Sequence, residues 1–446
     1  MVRRFSIALA CCAVATVTLA VRAAEPHRLP APVQPATFER IACEPLPPPA
    51  FGGAVEDGVL TLAVAESQAL ASHPAMIQAD ALVRAARGQW LQVGLRPNPQ
   101  VGYVGNEIGD EGRAGMQGAY ISQEFVTAGK LGLSRAAALR QVSAAEQRLE
   151  QTRRQVVTSV RIFFYEALSA ERSVALADIL RQVAGQALQA SELRLKALEG
   201  TQAAVLQSQV ESETTQLLVV DATNRRDSAR RRLASITGRP ESDTPPLEDI
   251  FATSLPTLDW ETTRARLLAD SPELAKLRFK VDSARWAVDR AVAQRIPNVM
   301  VMSGAQYDNA TEFAMANVQV SMPVPLFNRN QGGIVTANGQ LVAAQSALEA
   351  RELALSQELA AAMAEYNTAC RRVAKYNESI LPAARQSLDL VSKAYEQGEL
   401  EYLDILAIQR TYTERNLDYL RNLESAWKKW AEIDGLLVGP LMNGDK

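Results

Sequence analysis

The chain has 446 residues, of which 47% are hydrophobic and only 6% aromatic, and its formal net charge is −3. This length allows a large core or several domains, while few aromatic residues among abundant Ala, Gln, Leu, Glu and Arg are typical of long packed helices. The small acidic excess argues against nucleic acid as a partner, and the two histidines are too few for a His-rich metal store.

The amino terminus predicts an export signal. Arg3 and Arg4 precede an apolar run over residues 5–21, and a small residue at position 23 suits a signal-peptidase site. We therefore predict that residues 1–23 are a signal peptide and that the mature chain is exported. The alternative is a membrane anchor that stays uncut.

A proline-rich segment follows at residues 24–57. Its eight prolines exclude a helix and predict an extended segment. Cys43, within it, lacks the Leu-x-small pattern that precedes a lipidated cysteine. In an oxidising compartment Cys43 and Cys370 can pair, or both can stay free as lone thiols.

The remaining chain repeats itself at a spacing of about 200 residues, which is the signature of internal duplication. A shift of 198 aligns about forty residues without a gap, for example Leu60 with Leu258, Pro74 with Pro272 and Pro99 with Pro297. We predict a first repeat at 58–239, a linker at 240–257, a second repeat at 258–437 and a tail at 438–446.

Both repeats predict the same order of elements: a helical pair ending at a proline, two short strands, a long helix, a corner and a final helix. The helical pairs are predicted at 61–95 and 259–295, the strands at 98–107, 116–125, 298–308 and 312–322, and the long helices at 131–197 and 334–396. The second long helix contains Pro382, which we expect to kink or locally break it.

The fourth strand illustrates the period-two pattern of the strands. Its apolar residues alternate with polar ones: Ala316, Val318 and Val320 with Asn317, Gln319 and Ser321. None of the four runs contains Lys or Arg, whose central placement on a lipid-facing strand costs about 2–4 kcal/mol. A soluble hairpin is the alternative, but isolated hairpins are marginally stable, so export and two hairpins favour a barrel shared between subunits. Asn317, Gln319 and Ser321 would then face its lumen.

The long helices favour a tube over a solid bundle. Alanines recur where packing is expected, and the opposite positions carry Arg, Gln and Glu. A solid coiled coil, which is the alternative, would use more Leu and Phe in its core. We therefore expect a helical tube with a wet lumen.

The two corners differ in their chemistry. The second corner, at 397–403, contains Gly398, which is able to end a helix. Three acids lie nearby, Glu399, Glu401 and Asp404, and Tyr395 precedes the corner. The first corner, at 198–202, has Ala204 at the position that matches Asp404, and its candidate residues are Leu198, Gly200, Thr201 (a candidate N-cap) and Gln202. Asp404 falls in the first turn of the next predicted helix, where an acid stabilises the helix dipole by about 0.3–1 kcal/mol.

Three local motifs accompany this order of elements. They are RPNP at 96–99, ISQEFVTAGK at 121–130 and PVPLFNRNQG at 323–332. Together with the duplicated helix–hairpin–helix layout over residues 60–435, they resemble the TolC-like outer-membrane factors, and the motifs are similar to those of the CzcC-like branch associated with heavy-metal efflux. One departure is Leu400, which stands where TolC itself carries a gate arginine.

The resemblance implies a mainly α fold with a small transmembrane β part. Three protomers would each give four strands to a twelve-stranded barrel in the outer membrane, and their helices would form a periplasmic α-barrel. The corners would be the periplasmic tip, docking an adaptor (membrane fusion protein) and an inner-membrane pump of the RND type. Tyr395, Gly398 and Asp404 lie where the family keeps its tip motif, and acids line the narrow end of TolC-like channels. The resemblance therefore implies that Asp404, with Glu401 and Glu399, forms the constriction. For Asp404 the alternative is that it only stabilises the first turn of its helix.

The implied function is passive conduction of pumped substrate, namely heavy-metal cations of the cobalt/zinc/cadmium or copper/silver type. Alternatives are the same fold exporting drugs or secreted products, and a periplasmic coiled-coil adaptor or scaffold. No GxSxG, HExxH, CxxC or P-loop motif is present, so we predict no enzyme activity, no cofactor, and no catalytic or metal-binding residue.

Overall fold

The computed structural model describes residues 58–109, 112, 114–198, 200–239, 245–251, 255–396, 400 and 402–439. The predicted signal peptide and the proline-rich segment lie outside the described residues, as do Gly398, Glu399 and Glu401. Tyr395 is described only as backbone. Within the described residues, no helix combines the length and apolar character needed to cross a bilayer.

The described residues alternate between helices and two strand pairs. In chain order they form α1 (Leu62–Ser72), α2 (Pro74–Gln92), β1 (Gln100–Asn106), β2 (Met116–Phe125), α3 (Lys130–Lys196), α4 (Gln202–Thr237), α5 (Trp260–Asp270), α6 (Pro272–Ala293), β3 (Val299–Asp308), β4 (Phe313–Ser321), α7 (Gln331–Lys375), a π-helical turn (Tyr376–Ile380), α8 (Leu381–Glu396) and α9 (Tyr402–Asp434). The prediction of a mainly helical, two-repeat chain with a small β part is confirmed.

The four strands form one antiparallel sheet in the order β1-β2-β3-β4. The central pair joins the two repeats, because β2 belongs to the first and β3 to the second, with Tyr120 opposite Gly304. The part of the linker that is described also returns to the first repeat, since Leu60 pairs with Leu247 in an isolated parallel bridge. The two repeats therefore share backbone hydrogen bonds across β2 and β3, while the linker bonds to the first repeat at Leu60.

Matching caps start the second helix of each predicted helical pair. Pro74 and Pro272 occupy the first turns of α2 and α6, where a missing N–H costs nothing. The preceding residues, His73 and Ser271, accept hydrogen bonds from Ala75 N and Leu274 N. His73 is thus a capping residue in this structure.

The long helices differ in continuity. α3 has 67 residues and spans about 100 Å. Its counterpart begins at Gln331, after Asn330 in a left-handed conformation (φ 57°), and passes through the π-helical turn before Pro382. Pro382 has no N–H to donate to the carbonyl of Glu378. In the turn before it, Leu381 N–H bonds to Tyr376 O, five residues back, rather than to Asn377 O as in an α-helix. The irregularity expected at Pro382 is this π-helical turn, and the helix continues beyond it.

Two hydrophobic clusters hold the helices together. The first packs Phe164 and Tyr165 of α3 with Leu233 of α4, and reaches the second repeat through Trp427 of α9, whose ring stacks on Tyr165 at 5.2 Å. The second cluster centres on Tyr366 of α7. Since α9 contributes to both clusters, it ties the repeats together by apolar burial as well.

Candidate functional site

The sheet presents two faces of different chemistry. Residues paired across antiparallel strands project to the same face, so the register defines each face completely. We call the one that carries the predicted lumen residues the polar face, and its members on β2, β3 and β4 include Tyr120, Ser122, Glu124, Met300, Met302, Gly304, Gln306, Asn317, Gln319 and Ser321. The register thus brings Asn317, Gln319 and Ser321 together with polar residues of both repeats.

On β2 and β3 the opposite, apolar face is the more exposed one in the single chain, while on β4 both faces are exposed. It includes Val101, Tyr103, Ala119, Ile121, Phe125, Val299, Val301, Ala305, Tyr307, Ala316, Val318 and Val320. Val101 is 77% exposed and Val318 70% exposed, whereas Ser122 on the polar face is only 7% exposed. A soluble sheet with one solvated face exposes its polar side chains instead. This arrangement suits a sheet whose outer face meets lipid.

A tyrosine covers the middle of the polar face. Tyr120 lies against Gly102 on β1, where a Cβ would stand 2.6 Å from the ring, and against Gly304 on β3, where a Cβ would stand 3.2 Å from the tyrosine Cβ. Gly102 leaves room for the aromatic ring on the β1 side, and Gly304 leaves room for the tyrosine Cβ on the β3 side. Tyr120 is therefore a side chain of the polar face that the sequence pattern did not single out.

A buried lysine lies where the sheet meets the helices. Lys130, the first residue of α3, is 5% exposed, and its Nζ donates to Asn298 Oδ1 at 2.6 Å. Asn298 Nδ2 in turn donates to Glu124 Oε1 at 2.7 Å. Burial lowers the pKa of Lys130, and the nearby Glu124 carboxylate opposes that shift. These side chains form a chain of hydrogen bonds, here called the relay, from β2 through the residue before β3 to α3.

Sequence reasoning missed this relay, although both of its ends, Glu124 and Lys130, lie in the 121–130 motif. Lys130 closes the 121–130 motif, and Asn298 follows Pro297, the repeat partner of Pro99. Thr127 Oγ1 also donates to Pro297 O at 2.6 Å. The repeat alignment could have flagged both segments, but only the pairing of β2 with β3 brings them into contact.

The first corner is a tight turn between α3 and α4. Leu198 adopts the left-handed conformation (φ 61°) usually left to glycine, and it is 93% exposed. Thr201 is the N-cap of α4, accepting a hydrogen bond from Ala204 N at 3.2 Å, so the predicted cap is confirmed. Gly200 precedes this cap, and Gln202 begins α4.

The second corner is described only at its ends. α8 ends at Glu396 and α9 begins at Tyr402, which places Asp404 in the first turn of α9 with its side chain exposed. That position fits an acid at the positive end of a helix dipole. The remaining predicted acids, Glu399 and Glu401, lie outside the described residues.

Next to the corners, the α3–α4 hairpin of the first repeat meets α9 of the second repeat along a groove that carries charged side chains. Arg410 of α9 lies 3.8 Å from Glu211 of α4. The groove, of about 500 Å³, is lined by residues of α3, α4 and α9 that include Glu211, Asp221, Arg410, Glu414, Asp418 and Arg421. The first hairpin is closed above its corner by a buried contact of Ser191 Oγ with Ser208 Oγ at 2.9 Å. The hairpins thus meet through charges, while the first is closed by small polar groups.

The described residues contain no group of three or more His, Cys, Asp and Glu side chains arranged to hold a metal ion. The sites that the structure offers are accordingly a polar strand face and two helical corners, which can pass or contact a solute. Neither presents a nucleophile with an adjacent base in the contacts described above.

Comparison with known proteins agrees with this geometry. The sequence model of the family "Outer membrane efflux protein" matches residues 65–239 and 264–437, one match per repeat. The chain is 26% identical over 386 residues to the cobalt-zinc-cadmium resistance protein CzcC of Cupriavidus metallidurans, covering 85% of this chain and 90% of that protein. It is 24% identical over 299 residues to the alkaline protease secretion protein AprF of Pseudomonas aeruginosa, covering 65% of this chain and 55% of that protein. Its fold matches the crystal structure of the outer membrane protein VceC from Vibrio cholerae with a TM-score of 0.71 at 17% identity, covering 85% and 97% of the two chains.

Proposed function

The chain belongs to the outer membrane efflux protein family, and we propose that it is the exit duct through which heavy-metal cations leave the cell. It is an outer membrane efflux channel with a large periplasmic part. The proposed substrates are cations of the cobalt/zinc/cadmium or copper/silver type. An inner-membrane pump would supply the driving force, and the channel itself would be passive.

One observation carries the choice of substrate. The similarity to the cobalt-zinc-cadmium resistance protein extends over 90% of that relative, whereas the similarity to the protease secretion protein extends over 55% of its length. Export of a secreted product by the same fold is the second candidate, and the secretion relative is what supports it. Drug export is a further alternative.

The proposed assembly is a homotrimer. Both edge strands, β1 and β4, have one side without a partner strand among the described residues, and unpaired strand edges are sites for pairing with another chain. Three copies joined edge to edge would close a twelve-stranded barrel with the exposed apolar face toward lipid. Asn317, Gln319 and Ser321 would then line its lumen.

The two corners are proposed as the periplasmic tip that meets a periplasmic adaptor and an RND-type pump. In this proposal Asp404, with Glu401 and Glu399, narrows the tip and contributes three copies of each acid per trimer. Leu198, Gly200, Thr201 and Gln202 form the other corner, and Tyr395 and Gly398 complete the second. No cofactor, bound metal or catalytic step is assigned to any of these residues.

The test is deletion and complementation in the parent organism, scored by growth against cobalt, zinc, cadmium, copper and silver salts and a panel of drugs and detergents. We expect sensitivity to one or more of the metals, restored by the wild-type chain. Sensitivity to the organic compounds alone would overturn the metal proposal. Loss of a secreted protein with unchanged metal resistance would favour the second candidate instead.

A further inference from the structure

A groove of about 990 Å³ lies between α2, α3 and α6, on the first repeat's side of the α3–α6 packing. Its floor is made of alanines, of which Ala79 and Ala144 are buried, so the depth comes from small side chains. Its walls are polar, and the described residues that line it include no acid: Gln78, Gln141, Arg148, Gln151, Thr152, Gln155, Lys276 and Lys280. The groove therefore combines three cations with amide and hydroxyl groups.

The three cations lack acidic partners. Lys276 Nζ donates to Gln151 Oε1 at 3.0 Å, and neither Arg148 nor Lys280 forms an ion pair with any described residue. The acid that acts most strongly on Lys276 is Glu273, but that carboxylate is already bound by Arg351 at 2.8 Å.

Several partly buried arginines elsewhere in the described chain are paired with carboxylates. Arg161 lies 2.7 Å from Glu66 and 2.8 Å from Asp434, and Arg230 lies 2.5 Å from Glu171. The groove differs from these ion-paired sites in that no carboxylate lines it, and of its three cations Lys276 is partly buried while Arg148 and Lys280 are exposed.

Unpaired like charges at close range raise the local positive potential and favour a bound anion. Burial lowers the pKa of Lys276, and Lys280, Arg148 and Arg351 act in the same direction against Glu273. A multivalent anion in the groove would relieve this repulsion. The geometry supplies donors for it, since Arg, Lys and the glutamine amides can all donate to anionic oxygens.

We propose that this groove binds a phosphate-type anion held by Arg148, Lys276 and Lys280. Arginine and lysine are the side chains that proteins use to bind phosphate, and the alanine floor leaves room for the anion with its water or ester substituent. The same charges would repel a metal cation, so the anion proposed here is not the substrate proposed above. The anion can be a free phosphate compound or the headgroup of a phospholipid.

The test uses the full-length assembled protein purified in an uncharged maltoside detergent without phosphate. Isothermal titration with inorganic pyrophosphate at low ionic strength should give saturable binding. In the double variant Arg148→Gln/Lys280→Gln the affinity should fall at least tenfold, because two of the three cations are removed. The double variant Arg148→Lys/Lys280→Arg keeps both charges and should retain saturable binding.

A charge-matched control separates a site from general attraction. Arg264→Gln/Arg371→Gln removes two cations that are exposed, lie outside the groove and have no ion pair with a described residue. This control should bind pyrophosphate like the wild type. Equal weakening of both double variants, or no saturable binding to the wild type, would overturn the proposal. Size-exclusion chromatography of each variant would verify that assembly is unchanged.

A second arm identifies the source of the phosphate. Bicelles containing phosphatidylglycerol are compared with bicelles of phosphatidylcholine alone, with the Arg148→Gln/Lys280→Gln variant in parallel. Phosphatidylglycerol competing with pyrophosphate in the wild type only would assign a lipid headgroup. Pyrophosphate binding without such competition would assign a free phosphate compound. Equal displacement of pyrophosphate by both kinds of bicelle would contradict recognition of an anionic lipid headgroup by these cations.

Discussion

Lys130 and Asn298 belong to different repeats, yet the lysine Nζ donates a hydrogen bond to the asparagine Oδ1 at 2.6 Å where the sheet meets the helices. The ammonium group is buried, and this is its one direct hydrogen bond among the described residues. Asn298 also donates to Glu124, so it satisfies a cation and an anion at once. Asn298 therefore links the sheet to α3, together with the hydrogen bond from Thr127 Oγ1 to Pro297 O.

The first prediction compares the two ends of that hydrogen bond. Asn298→Ala should destabilise the protein more than Lys130→Met, because the first change leaves a buried ammonium without a partner and the second removes it. The expected loss for Asn298→Ala is about 1–3 kcal/mol. Thermal or urea unfolding of the purified protein would measure it. A larger loss for Lys130→Met would show that the lysine acts through another contact.

The second prediction uses two neighbours on opposite faces of β4. Val318 projects from the apolar face and Gln319 from the polar face. Val318→Lys should prevent insertion into the outer membrane, because a lysine facing lipid costs about 2–4 kcal/mol near the bilayer centre. Gln319→Lys should insert normally and reduce the cation preference of the channel in a planar bilayer.

Membrane fractionation and heat-modifiable migration on gels would score the insertion of these two variants. Equal insertion of Val318→Lys and Gln319→Lys would contradict the assignment of the two faces. The same result would remove the support that the apolar face gives to the proposed barrel.

The third prediction concerns α8, the helix that follows the π-helical turn. None of the side chains described at 381–394 in α8 is buried, whereas the matching end of α3 buries Leu180, Ala184, Ala187 and Ser191. We expect faster amide exchange in α8 than in residues 180–196, since local opening is easier where few side chains are buried. Hydrogen-exchange mass spectrometry on the intact protein would measure this. Equal protection of the two segments would mean that contacts with other chains hold α8.

The fourth prediction tests the acids of the second corner. Asp404→Ala combined with Glu401→Ala should change the conductance or cation preference of the reconstituted channel and leave assembly intact. Thr201→Ala, which removes the cap of the other corner, is the control and should cost about 1 kcal/mol without altering ion preference. Unchanged conductance and selectivity in the acid variant would leave Asp404 with only its place in the first turn of α9.

The elements were largely readable from the sequence because each carries a local signal. The alternation of apolar and polar residues predicted a strand at 312–322, and β4 lies at Phe313–Ser321. Pro382 likewise predicted the irregularity that lies at Tyr376–Ile380. The cap at Thr201 was visible for the same reason. These features depend on residues that are close in the chain.

The contacts between repeats were not readable in this way. The partnership of Lys130 with Asn298 spans 168 residues and needs the register of β2 on β3. The cation-lined groove needs three helices, and none of its residues forms a motif along the chain. Leu198 occupies a conformation that glycine favours, and nothing in its own chemistry indicates that.

The central claim is that this channel releases heavy-metal cations from the cell, and metal efflux from preloaded cells measures it most directly. Cells with and without the chain would be loaded with zinc, cobalt or cadmium, washed, and followed by mass spectrometry of retained metal. We predict that the deletion strain retains metal and that the wild-type chain restores release, whereas the Val318→Lys variant does not. Equal release of all three metals with and without the chain would contradict the claim.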